Sequence, residues 1–257
     1  MSSIPAIISL LGLAFAAVYP LCLWLVSRET IPRFLYWQLL SAGLAGLLGF
    51  GLLWYFEVAF QLRLSGAVWL TALFATNLYY WGSPKISAWV TSIPSVFGLI
   101  VLFQVSEILI YPSIMIFVIQ VLNVGLLGIF LLFTVRLRQG GDNTQDDRKT
   151  RFFSKAVLTL LAAKTVWATY SILWGDVKQM PGNTDWRTFI VELQGHLPLT
   201  ALFFGLLVPI LVLMLVPQFL KELDSRRLLA LLYPTVAALT VAVVLSLFYL
   251  FQFGIIL

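Results

Sequence analysis

Residues 154–175 read SKAVLTLLAAKTVWATYSILWG, and between Lys155 and the aspartate that follows this run the only charge is Lys164. A window this long and this apolar matches the roughly 20 residues a helix needs to cross a hydrocarbon core about 30 Å thick. At a rise of 1.5 Å per residue, Lys164 stands about 14 Å beyond Lys155, close to the midplane of such a core. Insertion scales place a central lysine at roughly 2.5–3.5 kcal/mol, so its side chain has to face protein or water rather than lipid. One segment thus reads as a membrane span, and its single charge asks for a reason.

The rest of the chain agrees with that reading. Of its 257 residues 61% are apolar and 11% charged, too little polar surface to cover a soluble domain of this size. Eight apolar windows, bounded by Pro, Gly or charge, predict helices at roughly 5–27, 33–56, 66–82, 88–111, 112–136, 155–175, 196–219 and 227–252. The fold class expected is all-α: a polytopic helical bundle in a single transmembrane domain over 1–257, with a cytoplasmic connector at 137–154. The N-terminal run has no basic n-region and no small-residue cleavage site, and reads as the first permanent span.

Charge sets the orientation. With eight spans, one side holds Arg28, Arg33, Lys85, Arg136, Arg138, Arg148, Lys149, Arg151, Lys155, Lys221, Arg226 and Arg227. The other side holds only Arg63, Lys178 and Arg187. Basic residues are retained in the cytoplasm, so both termini are expected on the outer side of a prokaryotic cytoplasmic (inner) membrane. The same placement accounts for the net charge of +5 without nucleic acid, leaving membrane lipids as the expected contact of the loops.

Span 2 carries Ser41, Ala45 and Gly49 on one face, with Ala42 and Gly46 beside them. Small residues at this spacing let two backbones approach, which is how helices associate without a hydrophobic driving force. Trp54, Tyr55, Tyr79, Tyr80, Trp81 and Trp174 near the span ends resemble an interfacial aromatic belt.

Polar residues inside the spans are the candidate site. Glu107 shares a helical face with Gln104 and Tyr111, while Gln120 and Asn123 stand three apart near the middle of span 5. Lys164 is expected to meet the Gln120/Asn123 face and to reach toward Glu107, as a proton path, a ligand-pocket wall or an interhelical tether. Glu57, Asp176, Glu192 and His196 gather at the outer ends of spans, and the one imidazole suits proton exchange at that face. One His and one Cys (Cys22) cannot build a bis-imidazole haem, an iron–sulfur cluster or a zinc site of several His or Cys ligands. No P-loop, zincin or nucleophile-elbow motif is present either.

The segment LLAAKTVWA resembles the retinal-binding lysine segment of microbial rhodopsins and heliorhodopsins, but that family carries its lysine on the last helix and Lys164 is on the sixth of eight. The stretch LFFGLLVPILVLML, the turn KELDSRR and the closing LLALLYPTVAALTVAVVLSLFYLFQFG resemble the end of the NrfD-like membrane anchors of polysulfide-, nitrite- and dimethyl-sulfoxide-reductase-type complexes. YYWGSPK is similar to that family's His-Leu-Gly-x-Pro element at Gly82, Ser83 and Pro84, with Tyr80 in place of the His. The resemblance implies an eight-span anchor that carries no metal, binds menaquinone or ubiquinone and exchanges electrons with iron–sulfur- or haem-bearing partner subunits. Two other roles fit the same composition: a non-catalytic scaffold of a membrane complex, and a permease component for a small anionic solute. In the permease, Pro20, Pro94, Pro209 and Pro234 would break spans and turn backbone carbonyls toward a central site.

Overall fold

The computed structural model describes residues 3–23, 32–54, 59–82, 87–109, 114–138, 147–174, 176–179, 182–185, 196–221 and 225–253. Apart from one short hairpin and single residues at helix ends these residues are helical, and the chain falls into two compact units, Met1–Gly128 and Ile129–Leu257. Among the described residues, five helical segments are long and apolar enough to cross a membrane: Ile4–Cys22, Tyr36–Leu53, Trp89–Ile108, Ile114–Val135 and Arg226–Gln252. The chain is therefore a multi-pass membrane protein in its helical content.

The first unit contains α1 (Ser3–Cys22), α2 (Pro32–Leu53), α3 (Phe60–Gly82), α4 (Ala88–Leu109) and the first half of α5 (Ile114–Arg138). Helix α1 packs on α2 and α4, and α3 packs on the same two, closing a ring of four. The α1–α2 seam is backbone against backbone. A Cβ added to Gly12 would lie 2.5 Å from the Ala45 carbonyl oxygen, and one added to Gly49 would lie 2.7 Å from the Ser9 carbonyl oxygen. Across this gap the Ser9 hydroxyl donates to the Gly49 carbonyl at 2.7 Å. The small-residue face is thus Ala42, Ala45, Gly46 and Gly49, while Ser41 lies exposed and bonds back to the Gln38 carbonyl.

Helix α3 begins at Phe60, six residues before the expected start of the third span. Arg63, in this added turn, lies 4.8 Å over the Trp54 ring at the end of α2. A guanidinium on an aromatic face extends the helix past the apolar window that sequence reading could delimit. At the other end of α3, Tyr80 Oη donates to the Ser87 carbonyl at 2.8 Å and accepts from the Ser87 N–H at 3.1 Å. One phenol so satisfies both backbone groups of the residue that leads into α4.

The second unit contains the rest of α5, α6 (Asp147–Trp174), α7 (His196–Leu202), a π-turn (Phe203–Leu207), α8 (Val208–Lys221) and α9 (Ser225–Phe253). α7, the π-turn and α8 form one unbroken helical run, helical φ and ψ being kept at Leu202 and Val208. Leu228, Leu232, Thr235, Leu239 and Ala242 make a buried stripe on α9 at alternating spacings of four and three, and α9 packs along that run. Helix α6 starts at Asp147, inside the stretch expected to be connector, leaving 139–146 outside the described residues.

One feature departs from the all-helical expectation. Asp176–Gln179 pairs antiparallel with Gly182–Asp185, in the register Asp176↔Asp185 and Gln179↔Gly182. With four residues a strand and no apolar alternation, it leaves no strand-like pattern in the sequence.

Candidate functional site

On α6 the residues Val157, Leu161, Lys164 and Ala168 are buried in turn, at spacings of four, three and four. Lys164 therefore belongs to the packed face of its helix, and it is only 5% exposed. Its Nζ donates to the Gly205 carbonyl at 3.3 Å.

Gly205 sits at the centre of the π-turn, where the Val208 N–H bonds the Phe203 carbonyl five residues back. Such turns hold one residue more than an α-helix would and recur at functional sites. Two sequence features make this one receptive. Pro209 has no N–H to offer the carbonyl four residues before it, which is that of Gly205. Gly205 also lacks a side chain: a Cβ there would lie 2.5 Å from Lys164 Nζ and 3.2 Å from the Ala242 Cβ on α9. The proline deprives the carbonyl of its helical donor, the glycine clears the approach, and the ammonium arrives from another helix.

An ammonium carries three N–H donors. Among the described residues the Gly205 carbonyl is the one acceptor Lys164 reaches, and no carboxylate is paired with it. A buried lysine amine with donors to spare among the described residues is suited to hold an anion or a polarised carbonyl.

Gln120 and Asn123 stand on α5 in the first unit, 6% and 4% exposed. Among the described residues neither the Nε2 nor the Oε1 atom of Gln120 has a hydrogen-bond partner. Glu107 and Gln104 lie exposed on α4, also in the first unit. In the second unit, Asp176 opens β1 and His196 opens α7. Glu57, Tyr111, Ser83, Pro84 and Glu192 lie outside the described residues.

Gly205 and the π-turn are what sequence reading missed. Pro209 was the available signal, since a proline inside an apolar run marks an unclaimed carbonyl four residues earlier. The choice of Lys164 as donor, 41 residues away, leaves no local trace. Also unforeseen was the bond from the Tyr19 hydroxyl to Gln38 Oε1, which links α1 to α2.

Comparison with family models, with curated protein sequences and with solved structures returns no match.

Proposed function

We propose that this chain is an integral membrane subunit of a multi-subunit electron-transfer complex, where it binds quinone and quinol without a metal centre of its own. The observation that carries this reading is the Lys164 side chain, buried in an apolar helical unit with only the Gly205 carbonyl to bond among the described residues. A quinone pocket needs an apolar wall and a few polar groups that orient the carbonyls. An ammonium with spare donors binds a quinone carbonyl and binds it more strongly as negative charge develops on the oxygen.

Oxidation of a quinol releases two electrons and two protons. The electrons pass to a partner subunit bearing an iron–sulfur or haem centre. The protons leave toward the outer surface, where Glu57, Glu107, Asp176, Glu192 and His196 are the groups able to take them. Lys164, Gln120 and Asn123 are the interior candidates. In this reading the chain spans a prokaryotic inner membrane eight times, with both termini outward.

The test is a purification of the chain with its native partners, followed by solvent extraction. About one quinone per complex is expected, and Lys164→Met lowers quinol turnover roughly ten- to a hundredfold, as loss of a hydrogen bond to a charged group implies. A complex without quinone, in which Glu107→Gln with His196→Ala leaves quinol turnover intact, refutes the proposal.

The π-turn supports a second reading, a permease component for a small anionic solute. Transporters present backbone groups freed from helical bonding at a midplane site, the place that the Gly205 carbonyl would take here within an unbroken run, and a lysine there attracts an anion. Solute counterflow in liposomes that disappears with Lys164→Met selects this reading over the first.

A further inference from the structure

Within the first unit, two contacts fix how α3 and α4 run against each other. Tyr80 Oη holds both backbone groups of Ser87, and a Cβ added to Gly98 would lie 2.5 Å from the Trp69 indole nitrogen. The contacts are equally spaced on both helices, so Asn77, three residues before Tyr80, stands level with Val90, three after Ser87. Pro94 is buried, seven residues after Ser87 and four before Gly98, on the line of α4 that α3 touches. It has no N–H for the carbonyl four residues before it, which is that of Val90. Opposite, Asn77 is 2% exposed, and among the described residues its Oδ1 has no hydrogen-bond partner. Unpaired acceptors are costly in hydrocarbon, and two acceptors cannot answer each other.

This level of the unit is polar on every helix and shallow. Cβ atoms added to Gly43 and Gly46 of α2 would meet Phe74 and Leu70 of α3, which puts Asn77 level with Leu39. Next to Leu39 is Gln38, whose Oε1 accepts from the Tyr19 hydroxyl of α1. Tyr19, Gln38, Asn77 and Val90 all stand within about 10 Å of the helix ends at Cys22, Pro32, Gly82 and Ala88. A small species has only one or two helical turns to pass.

We infer that the first unit binds one small electropositive species, a water or a monovalent cation, between Asn77 Oδ1 and the Val90 carbonyl. A water donates one hydrogen to each oxygen, as buried waters do for polar groups that a fold leaves unpaired. A cation is coordinated by both, and the hydroxyl of buried Thr91, one residue on, is a further oxygen able to accept. Carbonyls released from helical bonding coordinate Na⁺ in transporters. At Gly205 the chain supplies its own donor in Lys164, whereas at Val90 the donor comes from outside.

The experiment is a crystallographic map of the full-length protein that resolves ordered water, from crystals grown in NaCl and again after exchange into RbCl. One peak is expected within hydrogen-bond distance of both Asn77 Oδ1 and the Val90 carbonyl oxygen. Anomalous signal from rubidium at that peak identifies a cation, as does a higher unfolding temperature in NaCl or KCl than in choline chloride. A peak that responds in neither way is a water. An Asn77 amide turned so that Nδ2 rests directly on the carbonyl, or side chains that close the gap, overturns the proposal. In nanodiscs, Asn77→Leu is expected to lower the unfolding temperature by about 2–6 °C, as loss of a satisfied hydrogen bond predicts. The fall should be less than half as large beside Pro94→Ala, which returns an N–H to the Val90 carbonyl. A rise with Asn77→Leu, or effects of the two substitutions that simply add, also overturns it.

Discussion

Lys164 and Pro209 act on the same atom from opposite directions: the proline removes a donor from the Gly205 carbonyl, and the lysine supplies one at 3.3 Å. Their energetic effects should therefore be coupled. Lys164→Met alone leaves the carbonyl short of a donor and is expected to cost about 1–3 kcal/mol. In a Pro209→Ala background an N–H is restored at the right position, and the same substitution should cost less than half as much. Unfolding in mild detergent across the four proteins of this double-mutant cycle measures the coupling; additive effects would show that the two residues are independent.

Gly205→Ala should reproduce the loss of Lys164 while leaving the lysine in the chain. The new methyl meets Nζ at 2.5 Å and Ala242 at 3.2 Å, so the ammonium must leave the carbonyl. We expect destabilisation of about 1–3 kcal/mol, the usual cost of overpacking, and, under the quinone reading proposed above, the same loss of quinol turnover as Lys164→Met. Adding Ala242→Gly relieves only the 3.2 Å contact, so turnover should stay low. Recovery with that second change would show that helix spacing, and not the ammonium, was at fault.

At the α1–α2 seam, steric fit should outweigh hydrogen bonding. Ser9→Ala removes one interhelical bond of 2.7 Å and is expected to cost about 0.6 kcal/mol, the average for such bonds between membrane helices, and no more than about 1.7 kcal/mol. Gly49→Leu drives a side chain into the backbone at Ser9 and Leu13 and should prevent the two helices from pairing. Yield of monodisperse protein after detergent extraction separates the two, with the leucine variant lost and the alanine variant retained.

Topology can be read by cysteine accessibility, because the chain has one cysteine of its own and it is buried. New cysteines at Asn143 and Asp224 should react with a membrane-impermeant maleimide only after the cytoplasmic face is opened, and one at Gln194 should react in intact cells. The reverse pattern would invert the orientation drawn from the basic residues.

The sequence made the helices legible wherever an apolar run ended in charge or proline, and it made Lys164 conspicuous because an ammonium is costly among leucines. Helix limits set by other forces were harder. Arg63 extends α3 by lying on Trp54, and Asp147 starts α6 within a polar stretch, neither of which interrupts or lengthens an apolar window. The small-residue face of α2 was visible by spacing, yet how much of it met α1 depended on the partner: Ser9 and Gly12 meet Gly49 and Ala45, Ala16 meets Gly46, and Ser41 turns outward. The partner of Lys164 was hidden for the same reason. Hydrogen-bond pairing between distant helices is decided in three dimensions, and a one-residue excess in the helix that contains Gly205 changes no hydropathy window.

The glycine seam between α1 and α2 has a bearing on biogenesis. These helices are neighbours in the chain, so bringing them together closes only a short loop, at little entropic cost. Their contact needs Ser9, Gly12, Ala45 and Gly49 and nothing synthesised later. The pair can therefore dock as a hairpin while the ribosome is still elongating, and a nascent chain stalled after Gln104, carrying cysteines at Ser9 and Ala45, where no glycine is replaced, should already cross-link through a short bismaleimide.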